Sequence, residues 1–233
     1  MTTSNQIQNS FDKKANIYEN FNIIQKIVSK AVVRDIKNEP KKILELGCGS
    51  GQIYKQIHWE IKQYKAVDFS QIMCDQHPKD KNLQVVLANF DDTNFLKILK
   101  NERYDYVVSS SALQWSNNID NLLKILQKIS PNIAIAMFTS NTFKNIFDIT
   151  KKISPILDKN SIKKRFDKYF LCEYETHNYK LKFENKKDIF RFIKNSGVSA
   201  GVKLNFIEAK NLWQNYDKDY LQFEVIYINT NTK

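Results

Sequence analysis

The apolar positions of the chain change their period near residue 40 and again near residue 140. Ile17, Phe21, Ile24, Ile27, Val28 and Ala31 recur at steps of three and four, the stripe of one amphipathic helix. This predicts helical structure over the first forty residues, closed at Glu39-Pro40 because the residue before a proline is pushed out of the helical region. Short apolar runs then alternate with polar segments. Strands are predicted at 42–46, 64–68, 83–88, 104–109 and 132–138. Helices are predicted to start within 52–60, after a cap at Ser70, at 95–99 and at 118–129.

Strands alternating with helices predict an α/β fold, a mostly parallel Rossmann-like sheet with helices on both faces. Past residue 140 the rhythm is lost. Residues 142–157 read as a helix, 158–172 as irregular, 174–183 as a strand, 187–196 as a helix and 220–228 as a last strand. No repeat or low-complexity linker interrupts the chain, so 1–233 reads as one domain. Its expected parts are an N-terminal helical lid (1–40), a cofactor-binding half (41–141), a substrate-cap insertion over the top of the sheet (142–172) and a C-terminal part that completes the sheet (173–233).

Composition removes several alternatives. With 42% apolar and 12% aromatic residues, wholesale disorder is excluded. The longest strongly apolar run, Ile133 to Phe138, is far too short to span a membrane. The start, Met1-Thr-Thr-Ser-Asn-Gln, lacks the basic segment and apolar core of a signal peptide. The odd set Cys48, Cys74 and Cys172 makes no disulfide framework, so a cytoplasmic location is expected. His58, His77 and His177 are isolated and no CxxC occurs, so no metal is expected.

The formal charge of +11 changes the picture more. Only four of the 36 basic residues are Arg (Arg34, Arg103, Arg165 and Arg191), and the chain is crowded with Lys, Asn and Ile, which an AT-rich genome over-supplies. Part of the charge is thus open to a compositional explanation. Its distribution is more informative: between Lys151 and Lys187 stand eleven basic and five acidic residues, a net +6. Such a segment invites an acidic partner.

The chemistry centres on Leu44-Glu-Leu-Gly-Cys-Gly-Ser-Gly51, between the first strand and the following segment. Glycines at 47, 49 and 51 give a tight turn and let a ligand approach the backbone. Asp68 ends the second strand, 21 residues after Gly47, where a carboxylate can accept hydrogen bonds from both hydroxyls of a ribose. Glu45, two residues before the first glycine, would repel a pyrophosphate and suits an ammonium group. That favours S-adenosylmethionine over a dinucleotide.

Glu45-Leu-Gly-Cys-Gly-Ser-Gly51 followed by Val67-Asp-Phe-Ser70 resembles the first two motifs of class I S-adenosylmethionine-dependent methyltransferases. The resemblance implies a seven-stranded sheet whose last strand is antiparallel, a place that 220–228 can fill. It implies S-adenosylmethionine as cofactor, S-adenosylhomocysteine as product and no metal. Glu45, Gly47, Cys48, Gly49 and Gly51 would hold the methionine moiety and Asp68 the ribose. Phe69 and Met73 would flank the adenine, with Asn89 and Phe90 after the third strand and Ser109 on the fourth completing the cofactor set. Asn89 stands where such enzymes often carry an acid that reads the adenine amino group.

Phe11-Asp-Lys-Lys-Ala-Asn-Ile-Tyr18, Ser109-Ser-Ser-Ala-Leu-Gln-Trp115 and Phe192-Ile-Lys-Asn-Ser-Gly197 further resemble the malonyl-[acyl-carrier-protein] O-methyltransferases, which start pimelate synthesis for biotin. The likeness runs over about residues 9–200, and the tail from 200 to 219 looks short. It implies Tyr18 as the catalytic, substrate-side hydroxyl, Gln114 and Trp115 at the malonyl slot, and an acidic malonyl-acyl carrier protein as partner for the basic insertion. Lys14, Lys144 and the lid lysines all remain candidates to pair the acceptor's carboxyl group.

The reaction fits the residues. A malonyl carboxylate is ionised at neutral pH, so its methylation needs alignment and exclusion of water rather than a general base. The chain accordingly shows no GxSxG elbow. Residues 112–115 lack the Pro-Pro-aromatic pattern of enzymes that methylate nucleic-acid amino groups, which argues against nucleic acid. Two rivals stay open: a methyltransferase for another carboxylate, such as trans-aconitate, and a non-catalytic module that binds S-adenosylmethionine or nucleic acid.

Overall fold

A computed structural model describes residues 22–99, 102–195 and 204–230. Its centre is a seven-stranded sheet in the order β3-β2-β1-β4-β5-β7-β6. The strands are β1 (Lys42–Leu46), β2 (Gln63–Asp68), β3 (Leu83–Leu87), β4 (Tyr106–Ser110), β5 (Ile133–Phe138), β6 (Cys172–Lys182) and β7 (Tyr220–Thr230). All neighbours among β1–β5 pair in parallel, and β7 runs antiparallel to both β5 and β6. The expected sheet with an antiparallel last strand is the one observed.

The central strands are apolar because both faces are covered. Along β5 every side chain is buried, and alternate residues serve alternate cores: Ala134, Ala136 and Phe138 one, Ile133, Ile135 and Met137 the other. The first core is closed by α1 (Ile23–Asp35) through Ile24, Val28 and Val32. The second is closed mainly by α4 (Ile119–Ile129), with Phe95 of α3 (Phe95–Ile98); the short α2 (Gln71–Gln76) follows β2. Leu122, Leu126 and Ile129 on α4 recur at the helical period, and the Asn118 side chain caps its start by accepting from the Asn121 amide.

Two local expectations before β2 are corrected. The first helix ends at Asp35 rather than at Pro40, because Ile36 (ψ 127°) is already extended, and Asn38 (φ 63°) and Glu39 (φ 44°) then turn the chain in left-handed conformations. Ile17 and Phe21 of its stripe lie outside the described residues. The segment 52–60 forms only a single tight turn at Tyr54–Gln56. It leaves the helical region at Ile57 (ψ 126°), and the Trp59 indole donates to the Pro40 carbonyl instead.

The segment 142–172 holds two short helices rather than one long helix and an irregular stretch. Helix α5 (Lys144–Thr150) stops at Lys151 (φ 56°), well before 157, and Pro155 forbids its continuation. The stretch read as irregular contains α6 (Lys159–Phe166), started by Asp158, whose side chain accepts from the Asn160 and Ser161 amides. After α7 (Lys186–Asn195), a helix not anticipated, α8 (Phe206–Asn215), begins at a reciprocal cap between Asn205 and Glu208. Asn followed three residues later by Glu was a readable signal for it.

Candidate active site

The glycine loop leaves β1 and turns at once. The amides of Gly47 and Cys48 both donate to the Val67 carbonyl, at 2.8 and 3.0 Å, and the Gly51 amide donates back to Cys48. All three glycines have positive φ. Each position has a different reason to lack a side chain. A Cβ on Gly47 would stand 2.2 Å from the Ala112 methyl, and one on Gly51 would meet Pro78 and His77. A Cβ on Gly49 would meet nothing within 4 Å, because Gly49 faces the cleft.

That cleft, about 530 Å³, opens at the carboxyl ends of β1, β2 and β4, where an open parallel sheet binds ligands. Asp68 stands at its centre. One carboxylate oxygen accepts from the Gly49 amide at 2.8 Å and the other from the Ser70 amide at 2.9 Å. Burial lifts the Asp68 acid to about 6, and the two amide donors hold it from rising further. Phe69, Met73 and Phe90 give the cleft an apolar wall. Ser110, Ser111, Ala112 and Trp115 form the wall opposite.

The sequence-predicted residues divide. Gly47, Gly49, Asp68, Phe69, Met73, Phe90 and Trp115 line one cleft, although they come from four separate stretches of chain. Gln114 sits beside it, donating to the Ser111 carbonyl at 2.7 Å. Cys48 is buried behind the loop, and burial pushes its thiol well up. Asn89 is half-buried, its side-chain oxygen accepting from the Asp91 amide. Tyr18 and Lys14 lie outside the described residues, as do Ser196 and Gly197 of the third motif.

Two expected contacts take other partners. Glu45 does not line the cleft. Its carboxylate is buried beneath the glycine loop, where it accepts from the Tyr64 hydroxyl at 2.6 Å and faces the His77 ring at 4.0 Å. Ser109 is also buried, donating to the Leu46 carbonyl, so it ties β4 to β1. The cleft is instead served by the next two serines, Ser110 and Ser111, whose buried hydroxyls have no partner among the described residues. Ser111 is held at φ 59°, a costly conformation for a residue with a side chain. The Ser109-Ser-Ser111 run was visible in the sequence, but its phase relative to the strand end was not.

Orphaned hydroxyls on one wall and an open glycine on the other suit a polar ligand lying across the loop. Asp68 is the sole carboxylate or amine side chain among the described lining residues. Among the described residues no cluster of three or more His, Cys, Asp or Glu could hold a metal ion.

Known proteins resemble the chain both around this cleft and beyond it. Residues 43–131 fit the model of a methyltransferase domain family. A malonyl-[acyl-carrier protein] O-methyltransferase of Bacillus cereus is 23% identical, over 94% of this chain and 91% of its own length. Malonyl-[acyl-carrier protein] O-methyltransferase 2 of Ilyobacter polytropus is 24% identical, over 98% and 95%. Among solved structures, the plantazolicin methyltransferase BamL, determined with S-adenosylhomocysteine, superposes with a TM-score of 0.56 at 13% identity, covering 97% of this chain and 95% of that one.

Proposed function

We propose that this chain, which has the fold of S-adenosylmethionine-dependent methyltransferases, methylates the free carboxylate of a malonyl group carried on an acyl carrier protein. The observation that carries this reading is the extent of the similarity. The relatives of that name match over more than nine-tenths of the chain, well beyond the matched domain at 43–131.

S-Adenosylmethionine, when bound, supplies an electrophilic methyl on a sulfonium. The chain's part is to hold it, to place the acceptor in line with it and to keep water out. Gly47 and Gly49 give the methionine moiety backbone to lie against, and Asp68 accepts from the ribose hydroxyls with lone pairs that Gly49 and Ser70 leave open. Phe69, Met73 and Phe90 sandwich the adenine. Ser110 and Ser111 offer hydroxyl donors on the opposite wall, and Trp115 shapes the acceptor's slot. Glu45 acts from beneath, bracing the loop through Tyr64 rather than touching the ligand.

The lack of a histidine or lysine on the described lining supports an acceptor that is already ionised. Transfer of the methyl from a sulfonium to a carboxylate would neutralise both charges and release no proton, so the chain would need to supply no base. Tyr18 is the proposed donor that orients the carboxylate. The reading places the activity in one domain, in a cytoplasmic protein that starts pimelate synthesis for biotin.

Complementation tests the reading. A strain lacking this methylation step regains biotin-free growth with the wild-type gene, and loses it again with the Asp68→Ala gene. Failure of the wild-type gene, with the protein expressed and binding S-adenosylhomocysteine, contradicts the malonyl assignment.

A further inference from the structure

A second cleft opens beyond the carboxyl end of β5, on the sheet edge that carries the first. It is an open groove between the 139–144 turn with α5 on one side and the irregular stretch 151–158 on the other. The Ser140 amide donates to the Leu157 carbonyl at 2.9 Å and pins the two sides together. The end of β5 also packs against the Leu113–Trp115 turn, so the two clefts flank one short stretch of edge.

The lining is mixed in a specific way. Phe147, Ile153 and Ile156 make it apolar, and Ile153 is 93% exposed. Ser140, Asn141 and Ser154 add hydrogen-bonding groups, and the buried Ser154 hydroxyl has no partner among the described residues. A linear ligand of amides alternating with short hydrocarbon segments has this same mixture. The pantetheine arm of an acyl carrier is such a ligand.

At the mouth of this cleft stands Asp158, the residue that caps α6. The helix is anchored by Ile162 and Phe166, both buried, and by Arg165 and Lys168, which pair with Asp120 on α4. Its exposed side carries Lys159 and Lys164, which form no ion pair among the described residues, while the half-buried Lys163 lies over the Tyr174 ring at 5.1 Å. The acids beside them are already engaged. Asp158 takes the Asn160 and Ser161 amides, and Asp167 takes the Tyr174 hydroxyl. Two exposed ammonium groups on a firmly seated helix favour an acidic protein surface, which they would steer and orient.

We infer that the second cleft receives the thioester arm of the acceptor and that α6 receives the acidic carrier domain itself. This rests on the proposed malonyl-carrier substrate and adds where that substrate docks. The carrier on α6 would send its arm past Asp158, along Phe147 and Ile153, and deliver the malonyl end to the Trp115 side of the first cleft.

The test is steady-state kinetics with two acceptors that share one reactive group, malonyl-carrier protein and the small thioester malonyl-N-acetylcysteamine. Two surface variants separate the parts: Lys159→Glu with Lys164→Glu on the helix, and Ile153→Asp in the cleft. Each is expected to raise KM for the carrier-bound acceptor by about tenfold or more and to leave KM for the small thioester and the affinity for S-adenosylhomocysteine unchanged. Equal effects on both acceptors, or no effect on the carrier-bound one, overturn the inference while leaving the malonyl reading in place. A wild-type protein that methylates neither acceptor overturns that reading and the inference with it.

Discussion

The Gly49 amide and the Asp68 carboxylate are hydrogen-bonded at 2.8 Å, so the glycine loop and the acid proposed for the ribose move as one unit. Burial raises the Asp68 acid from its ordinary 3.8 to about 6. Between those values the folded protein holds more protons than the unfolded chain, so stability falls as pH rises through that window and levels off above it. Cofactor binding has the opposite sign, because only the carboxylate accepts from both hydroxyls. Affinity for S-adenosylhomocysteine is expected to climb from pH 5 to 7, while the melting temperature of the ligand-free protein loses Asp68's contribution from pH 4 to 6. Titration calorimetry and thermal melts across pH, with Asp68→Asn as the control that flattens both trends, check the pair.

Gly47 and Gly49 look alike in sequence and differ in surroundings. A methyl at Gly47 collides with Ala112 at 2.2 Å, so Gly47→Ala is expected to destabilise the fold by about 2 kcal/mol or more. A methyl at Gly49 enters open space, at a backbone angle (φ 50°) that costs about 1 kcal/mol. Gly49→Ala should therefore stay folded and yet lose affinity for S-adenosylhomocysteine by about tenfold, since the space it fills is the ligand's. Denaturant melts and binding measured side by side separate the two effects.

Glu224 on β7 is buried at the carboxyl edge, where it accepts from Thr139 at 2.5 Å and from the Asn141 side chain at 3.0 Å. It fixes the turn that forms one wall of the second cleft. Glu224→Ala leaves two donors unsatisfied and is expected to cost about 2 kcal/mol of stability. The same change should raise KM for the acceptor while S-adenosylhomocysteine binds normally. A parallel loss of cofactor affinity would show that Glu224 serves the whole edge rather than this turn.

Burial raises all three thiols, Cys48 well above its ordinary value and Cys74 and Cys172 to about 11. At pH 8 little thiolate is present. Ellman's reagent is expected to react slowly with the native protein and with all three thiols once it is unfolded. Rapid modification of Cys48 in the native state would contradict its packing behind the loop.

The sheet was legible because its strands are short, apolar on both faces and punctuated by Pro40, Gly47 and Ser70. The cleft was legible for a similar reason: Gly47, Gly49 and Asp68 carry their meaning in type and spacing. Glu45 and Ser109 point away from the cleft, a direction that depends on phase at a strand end, and each is engaged by a neighbouring strand. The insertion was misread because its helix boundaries rest on Lys151 in a left-handed conformation and on the Asp158 cap, signals weaker than an apolar stripe. Glu224 was unreadable, since its partners are 83 and 85 residues away.

The central claim is a methyl ester on a malonyl group, and intact-mass analysis of the carrier tests it directly. Purified protein, S-adenosylmethionine and malonyl-carrier protein are incubated with trans-aconitate present as a competing carboxylate. The expected result is a carrier heavier by one methylene unit, with the gain removed by esterase and absent when acetyl-carrier protein is the acceptor. An unchanged carrier, with S-adenosylhomocysteine still bound by the protein or with the methyl found on trans-aconitate, would contradict it.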